Sequence, residues 1–311
     1  MSGMIALRAH RRGGPEVLVV ERAPMPVPAP GEVLVEVHAA AITFDELTWD
    51  ETWERGGVDR TPTIPSHEVS GVVAAVADGV TEVACGDEVY GLIRFDRDGA
   101  AAEYVTVPAA DLAGRPTTVS HVTAAALPLA GLTAWQALVE HADVRPGERV
   151  LVHGGAGGVG ALTVQLATGL GAEVSATVRS DARDLLVGFG AARVIDTRRD
   201  RFDAAGRAYD VVIDTIGGQT LRRSFDVVRG GGRIVTLSAP PPAGLADTYG
   251  VVADFFVVTP DREQLRRLTE LVDGGRLRVP IAATFPLREG RSAYASRGQH
   301  RPGKTVLVVR D

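Results

Sequence analysis

The stretch Val150-Leu151-Val152-His153-Gly154-Gly155-Ala156-Gly157-Gly158-Val159-Gly160 decides the fold. An apolar run enters a glycine-rich turn, and the small and apolar residues over 158–171 then have the character of a buried helix. Within the turn Gly155, Gly157 and Gly160 form G-x-G-x-x-G, the spacing of a dinucleotide-binding turn. Gly155 is expected to permit the tight turn, Gly157 to let a diphosphate reach the backbone, and Gly160 to let the helix lie close on the strand. The N–H groups that open such a helix are free and carry partial positive charge, which suits an anion.

Downstream, strands are expected over 149–153, 173–178, 193–195, 210–214, 232–237 and 255–258. They alternate with helices over 158–171, 181–189, 220–228 and 261–273. That alternation predicts an α/β chain with a doubly wound parallel sheet, the Rossmann arrangement. The second strand ends at Thr177, where a dinucleotide site for NAD places an acid for the ribose 2′-hydroxyl. No acid stands there; Arg179 and Ser180 follow at once, a pair suited to a 2′-phosphate. The cofactor expected is therefore NADPH, with Asp181 and Asp184 tempering the positive field.

Upstream, residues 1–120 read as short strands over 17–21, 33–39, 69–76, 88–92 and 102–107, divided by Gly/Asp turns and by the proline-rich connector 24–31. This predicts a compact β-rich domain. A helical stretch then runs over 121–142, with Ser120 as N-cap and Pro128 and Gly131 splitting it in two. The segment 303–309 is a strand in the style of the first domain. The expected organisation is a catalytic domain over 1–121, a cofactor domain over 122–273, and a return to the first domain over 274–311.

Composition excludes several classes. With 45% hydrophobic and 23% charged residues the chain is globular, and a net charge of −6 argues against nucleic acid as partner. The start has no signal-peptide core and no apolar run reaches about 18 residues, so a cytoplasmic protein without membrane partners is expected. Cys85 stands alone, which forbids an intramolecular disulfide and reads as a turn or core residue. The 33 basic residues include one lysine, Lys304, read as a base-composition bias without bearing on partners.

The chain resembles the medium-chain dehydrogenase/reductase superfamily, and within it the zinc-free quinone oxidoreductase branch. The resemblance is carried by Gly14-Pro15-Glu16-Val17-Leu18, Pro30-Gly31-Glu32-Val33-Leu34-Val35, Pro65-Ser66-His67-Glu68-Val69-Ser70-Gly71 and Gly86-Asp87-Glu88-Val89-Tyr90-Gly91. It continues through Leu132-Thr133-Ala134-Trp135-Gln136, the turn 153–160, Val212-Ile213-Asp214-Thr215-Ile216-Gly217-Gly218 and Gly303-Lys304-Thr305-Val306-Leu307. It implies a GroES-like β-rich domain beside the Rossmann domain, with the active site between them, and a homodimer joined through the Rossmann sheet edge. By the same resemblance, Thr133 contacts the cofactor near its nicotinamide, and Ala156, Gly157, Gly158 and Val159 cradle the diphosphate. Thr215 and Ile216 border the adenosine half. Leu237, Ser238 and Ala239 line the ribose and nicotinamide, and Phe255, Phe256 and Val257 stand beside the nicotinamide ring.

In zinc-dependent relatives a Cys, a His and a third ligand hold the metal. Here Thr43 takes the first position, the apolar stretch 127–132 the third, and only His67 and Glu68 remain, so no metal is expected and His67 is read as making structural hydrogen bonds. Without a Lewis acid a conjugated acceptor is the easier substrate, because charge delocalises onto its carbonyl oxygen as hydride adds. The expected reaction is NADPH-dependent reduction of a quinone or enone. An enoyl thioester, or a non-catalytic NADPH-binding sensor, is the alternative. Thr43 and Tyr90 are the candidate proton donors. Phe44, Trp49 and Trp53 are expected to form the substrate pocket, since aromatic faces suit flat acceptors. The segment departs from the branch's Asn-Pro-Val-Asp pattern at 43–46.

Overall fold

The protein, described here by a computed structural model over residues 3–299 and 301–310, builds two main sheets. Ahead of the first lies a hairpin of β1 (Gly3–Ala9) and β2 (Leu18–Pro24). The first large sheet takes β3 (Glu32–Ala41) but not the two-residue hairpin strands β4 (Glu54–Arg55) and β5 (Val58–Asp59). It continues with β6 (Glu68–Val76), β7 (Glu88–Leu92), β8 (Tyr104–Pro108) and β9 (Leu112–Gly114). The alternation iBiBiBiB along β3 shows why: every second residue faces the core that holds Val33, Val35 and Val37.

The second sheet is parallel throughout. Its strands are β10 (Arg149–His153), β11 (Glu173–Val178), β12 (Arg193–Asp196), β13 (Tyr209–Asp214), β14 (Val228–Thr236) and β15 (Val252–Phe255), in the order β12-β11-β10-β13-β14-β15. β10 is buried from Val150 to His153 because helices cover both faces, which explains its unbroken apolar run. The order reverses between β10 and β13, and such a switch point opens a crevice at the carboxyl ends of the strands. After β15 the chain forms β16 (Ile281–Pro286) and β17 (Lys304–Val308), and β17 lies between β16 and β3 in the first sheet. The sequence-based reading finds that return but not β1, β9 or β16.

Nine helices are present among the described residues: α1 (Asp50–Trp53), α2 (His121–Ala125), α3 (Pro128–Trp135), α4 (Gly158–Gly169), α5 (Arg183–Gly188), α6 (Gly218–Ser224), α7 (Leu245–Tyr249), α8 (Arg262–Asp273) and α9 (Gly290–Ala295). Ser120 caps α2 through a bond from Thr123 N, and Pro128 starts α3 where its missing N–H costs nothing. Gly131 does not split the helix. It lies inside α3, where a Cβ would come 2.8 Å from Leu268 of α8, so it serves close helix packing. Beyond α3 a π-helical turn, Gln136–His141, turns the Gln136 amide toward the segment after β15: Nε2 donates to Thr259 O at 2.9 Å and Oε1 accepts from Thr259 N at 3.2 Å. One hydrophobic core runs from Tyr90 and Leu92 of the first sheet into α3, α4 and α8, packing the two halves against each other.

Candidate active site

The glycine turn lies at the switch point. Gly154, not Gly155, takes the left-handed conformation (φ +70°); a Cβ at Gly155 would instead meet Ala176 at 2.8 Å, so that glycine serves close packing on β11. A Cβ at Gly160 would come 2.2 Å from Gly154 O, which fixes the approach of α4 to the turn. Gly157 is exposed, and its absent Cβ would meet only Gly154 O, at 3.3 Å. As N-cap of α4, Gly157 offers no side chain to the first N–H groups, leaving them to a ligand. The turn thus fits a dinucleotide's diphosphate.

His153 supports the turn from behind. Its Nδ1 pairs with Thr177 Oγ1 at 3.1 Å and its Nε2 with Ser224 Oγ at 3.0 Å, while burial and then the charge of Arg223 depress it to about 3. Thr177 also accepts from Gly154 N at 3.2 Å. Its side chain is buried and bonded to the turn, so the hydroxyl of Thr177, a candidate cofactor contact in the sequence, is not free to reach a ribose. Arg179 and Ser180 follow at the end of β11, exposed and half-buried. Thr215 donates to His153 O at 2.9 Å, and Ile216, beside Gly154, is exposed. Half-buried Leu237 and exposed Ser238 and Ala239 follow β14. The Thr133 hydroxyl donates to Leu129 O at 2.6 Å and keeps only its acceptor capacity.

A cleft of about 310 Å³ opens between residues 92–95, at the end of β7, and residues 257–260, held by Gln136. Val257 is exposed on its wall, and Phe255 and Phe256 are half-buried just before it. Phe256 stacks on His141 (centroids 4.0 Å), which pairs with Asp254 at 2.5 Å. On the other wall Phe95 meets Trp49 edge to face at 5.0 Å and His67 at 5.3 Å. The predicted aromatic trio does not assemble. Trp53 is a core residue, 3% exposed, with its indole N–H bonded to Leu47 O, and Phe44 lines a separate groove with Arg12 and Tyr294. Only Trp49 reaches this wall. Phe95, its true partner, lies outside the segment that the sequence marks.

Tyr90 is not a proton donor. It is fully buried, donates to Leu265 O at 2.6 Å and accepts from Thr269, binding β7 to α8, and burial pushes its phenol well above the usual range. Thr43 is half-buried in the loop after β3, and its hydroxyl accepts from Lys304 Nζ at 3.1 Å. Lys304 is also ion-paired with Glu68, whose other oxygen accepts from Leu129 N at 3.0 Å at the start of α3. Burial pushes the Glu68 carboxyl up against the pull of Lys304.

Glu46 gives no signal in the sequence beyond its departure from the family pattern. It is 1% exposed and accepts from Tyr294 OH at 2.6 Å, Ser66 N at 2.8 Å and Thr43 N at 3.1 Å. Burial outweighs those bonds and pushes it up to about 7. His67, 3.8 Å from Glu46, makes no ring hydrogen bond of ordinary geometry with a described residue, and only the backbone at Arg94 and Ile93 comes near its ring. Burial, then the charge of Arg60, holds it at about 3.

Comparison with known proteins now adds to this geometry. Residues 29–117 match the alcohol dehydrogenase GroES-like domain and residues 189–307 the zinc-binding dehydrogenase family. An NADPH-dependent alkenal/one oxidoreductase of Arabidopsis thaliana is 31% identical over 95% of this chain and 77% of its own length. The chain belongs to the medium-chain dehydrogenase/reductase superfamily. Within that superfamily the structure of a Coxiella burnetii quinone oxidoreductase superposes with a TM-score of 0.90 at 30% identity, covering 99% of this chain and 100% of that one. The CurK enoyl reductase gives 0.87 at 27% identity, covering 98% and 99%. Superfamily membership makes the chain a nicotinamide-dependent oxidoreductase.

The zinc implied by one family description does not fit the donor set. Among the described residues no three His, Cys, Asp or Glu side chains converge on a metal position. The hydroxyl at Thr43 is poor in donor strength and already holds an ammonium, a like charge to a metal cation, within 3.1 Å.

Proposed function

We propose that this protein is a zinc-independent, NADPH-dependent reductase of conjugated carbonyl compounds, quinones or enones. The observation that carries the reading is the pairing of a largely apolar cleft, lined by Leu92, Ile93, Phe95, Val257 and Val258, with a Thr43 hydroxyl that is bonded, among the described residues, to a lysine and not to a metal ligand. Bound NADPH would supply the hydride. The open backbone at Gly157, Gly158 and Val159 would hold its diphosphate, and Arg179 with Ser180 its 2′-phosphate. The chain's own part is to orient the acceptor and keep the cleft dry, which together contribute several kcal/mol to lowering the barrier.

An enoyl thioester is the second substrate class, favoured by the fit to CurK enoyl reductase. We place the protein in the cytoplasm and infer a homodimer formed along β15, the edge strand of the parallel sheet, whose Val252 is 64% exposed. No helix among the described residues is long and apolar enough to cross a membrane.

NADPH oxidation measured against a small quinone, an enone and an enoyl thioester, with metal content determined in parallel, tests the reading. Turnover of a quinone or enone by metal-free protein is expected; stoichiometric tightly held zinc, or inactivity with every acceptor, would overturn it. Arg179→Ala should weaken NADPH about ten- to a hundredfold, the worth of a charge-assisted bond, and leave NADH nearly unchanged. Equal losses for both would remove Arg179 from phosphate recognition.

A further inference from the structure

Lys304 is the one lysine of the sequence, and the fold holds it with unusual care. Gly303, at φ +99°, has no room for a side chain: a Cβ there would come 2.1 Å from Pro280 O. Its N–H donates to Ala156 O at 3.0 Å, so the residue before Lys304 is fastened to the glycine turn itself. The lysine stem then lies on Gly158, where a Cβ would meet Lys304 Cδ at 2.5 Å. At its tip the ammonium has two partners, Glu68 of the first sheet and the Thr43 hydroxyl in the loop after β3. Glu68 is itself fixed by Leu129 N. The side chain is 10% exposed and cannot wander.

This geometry decides what Thr43 can do. A hydroxyl has one proton and two lone pairs. One lone pair of Thr43 takes the Lys304 N–H, and its own O–H makes no bond to a described residue. The hydroxyl is therefore a donor with a positive charge directly behind it, and a donor so polarised stabilises a developing oxyanion better than a neutral hydroxyl does.

We propose that Lys304 is a positioning residue of the reduction: its ammonium orients and polarises the Thr43 hydroxyl, which donates to the carbonyl oxygen of the conjugated acceptor. The proposal rests on the reductase reading above. As a C–H bond forms at the far carbon of the acceptor, the C=C π pair shifts toward the carbonyl and the oxygen gains negative charge, which the Thr43 O–H receives. Water then supplies the proton that completes the reduced product. The acceptor gains two electrons, and the nicotinamide that gave the hydride loses them. Glu68 balances the ammonium throughout, so that no net charge is buried when the cleft is empty.

The alternative for a cation at this place is service to the cofactor's diphosphate, and the experiment separates the two. Thr43→Val should lower kcat about a hundredfold, the usual cost of one oxyanion donor. Lys304→Met should lower it about tenfold, Lys304→Arg should restore most of that loss, and Thr43→Val/Lys304→Met should be no slower than Thr43→Val alone, because the lysine acts through the threonine. NADPH affinity, read by fluorescence titration without acceptor, should stay within about twofold in all of them. A tenfold weaker NADPH complex with kcat unchanged in Lys304→Met would overturn the proposal in favour of the diphosphate role. Independently of turnover, protein labelled with ε-13C-lysine carries a single lysine side-chain resonance, and Thr43→Val should move it. An unmoved resonance would sink the contact even if Lys304→Met failed to fold. Wild-type protein inactive with every conjugated acceptor would bring down the reductase reading and this proposal together, whereas an active wild type with unimpaired Thr43→Val would remove this proposal alone.

Discussion

Two buried histidines, one in each half of the molecule, receive opposite treatment. His153, behind the glycine turn, has both ring nitrogens bonded, to Thr177 and Ser224. His67, behind the cleft wall, has neither nitrogen in a hydrogen bond of ordinary geometry with a described residue, only the backbone at Ile93 and Arg94 nearby, and faces Phe95 and the charge of Arg60. Both are held neutral, at about 3, yet only one is tied into a network. The half proposed to hold a cofactor by its backbone needs a rigid support behind that backbone. The β-rich half, proposed to meet the substrate, leaves this side chain outside any network of side-chain hydrogen bonds.

The largest effect expected from that contrast is in His153→Leu. It leaves the Thr177 and Ser224 hydroxyls without their partner and loosens the turn, at a cost of about 3 kcal/mol with weaker NADPH binding. Chemical denaturation and cofactor titration measure both, and an unchanged NADPH affinity would separate the network from the turn. His67→Leu removes no bond of ordinary geometry and should change stability at pH 7 by less than about 1 kcal/mol, the smaller of the two effects. Losses of equal size would erase the distinction between the two sites.

Acid sharpens it further. A neutral buried histidine binds no proton in the fold but binds one when unfolded, so each contributes stability above about pH 6.5 that is lost as pH falls toward 3, at about 1.4 kcal/mol per unit. Glu46 runs the other way. Its raised carboxyl takes up a proton in the fold first, so its contribution is full below about pH 4.5 and is lost as pH rises through 7. Glu46→Gln cannot take up that proton, and its acid-induced loss between pH 6.5 and 4.5 should be steeper than wild type by up to about 1.4 kcal/mol per unit. His67→Leu should be shallower by a similar slope. Denaturation midpoints at pH 7, 6 and 5 read both, and parallel curves for all three proteins would mean that neither group titrates as burial dictates.

The cofactor half was legible because its demands fall on backbone and on neighbours in sequence. An apolar run, glycines at fixed spacing and alternating elements are all local, and they place the parallel sheet and the turn. Even the misassigned detail, Gly154 rather than Gly155 in the left-handed position, is off by one residue. The substrate side was poorly legible because its contacts join residues far apart in the chain. Tyr90 reads as a free phenol until α8 is packed over it, 175 residues on. Trp53 and Phe44 share a segment with Trp49, yet the short helix α1 turns Trp53 into the core. Phe95 and Glu46 carry no motif. Lys304 was visible as a motif residue, but nothing local tells that it meets Thr43 across 261 positions.

The place of β17 between β16 and β3 bears on how the protein comes into being. During synthesis β3 finds β6 and β8 early, but its Ala39–Ala41 end must wait through translation of the whole cofactor half before β17 emerges. Until then the growing chain shows an unpaired end of β3 and a glycine turn whose lysine has not yet been made. A nascent chain halted in that interval can already form its parallel sheet, yet the contact of Lys304 with Thr43 and Glu68 does not exist. The fastening of the glycine turn to the first sheet therefore arrives in one step, with a single late strand.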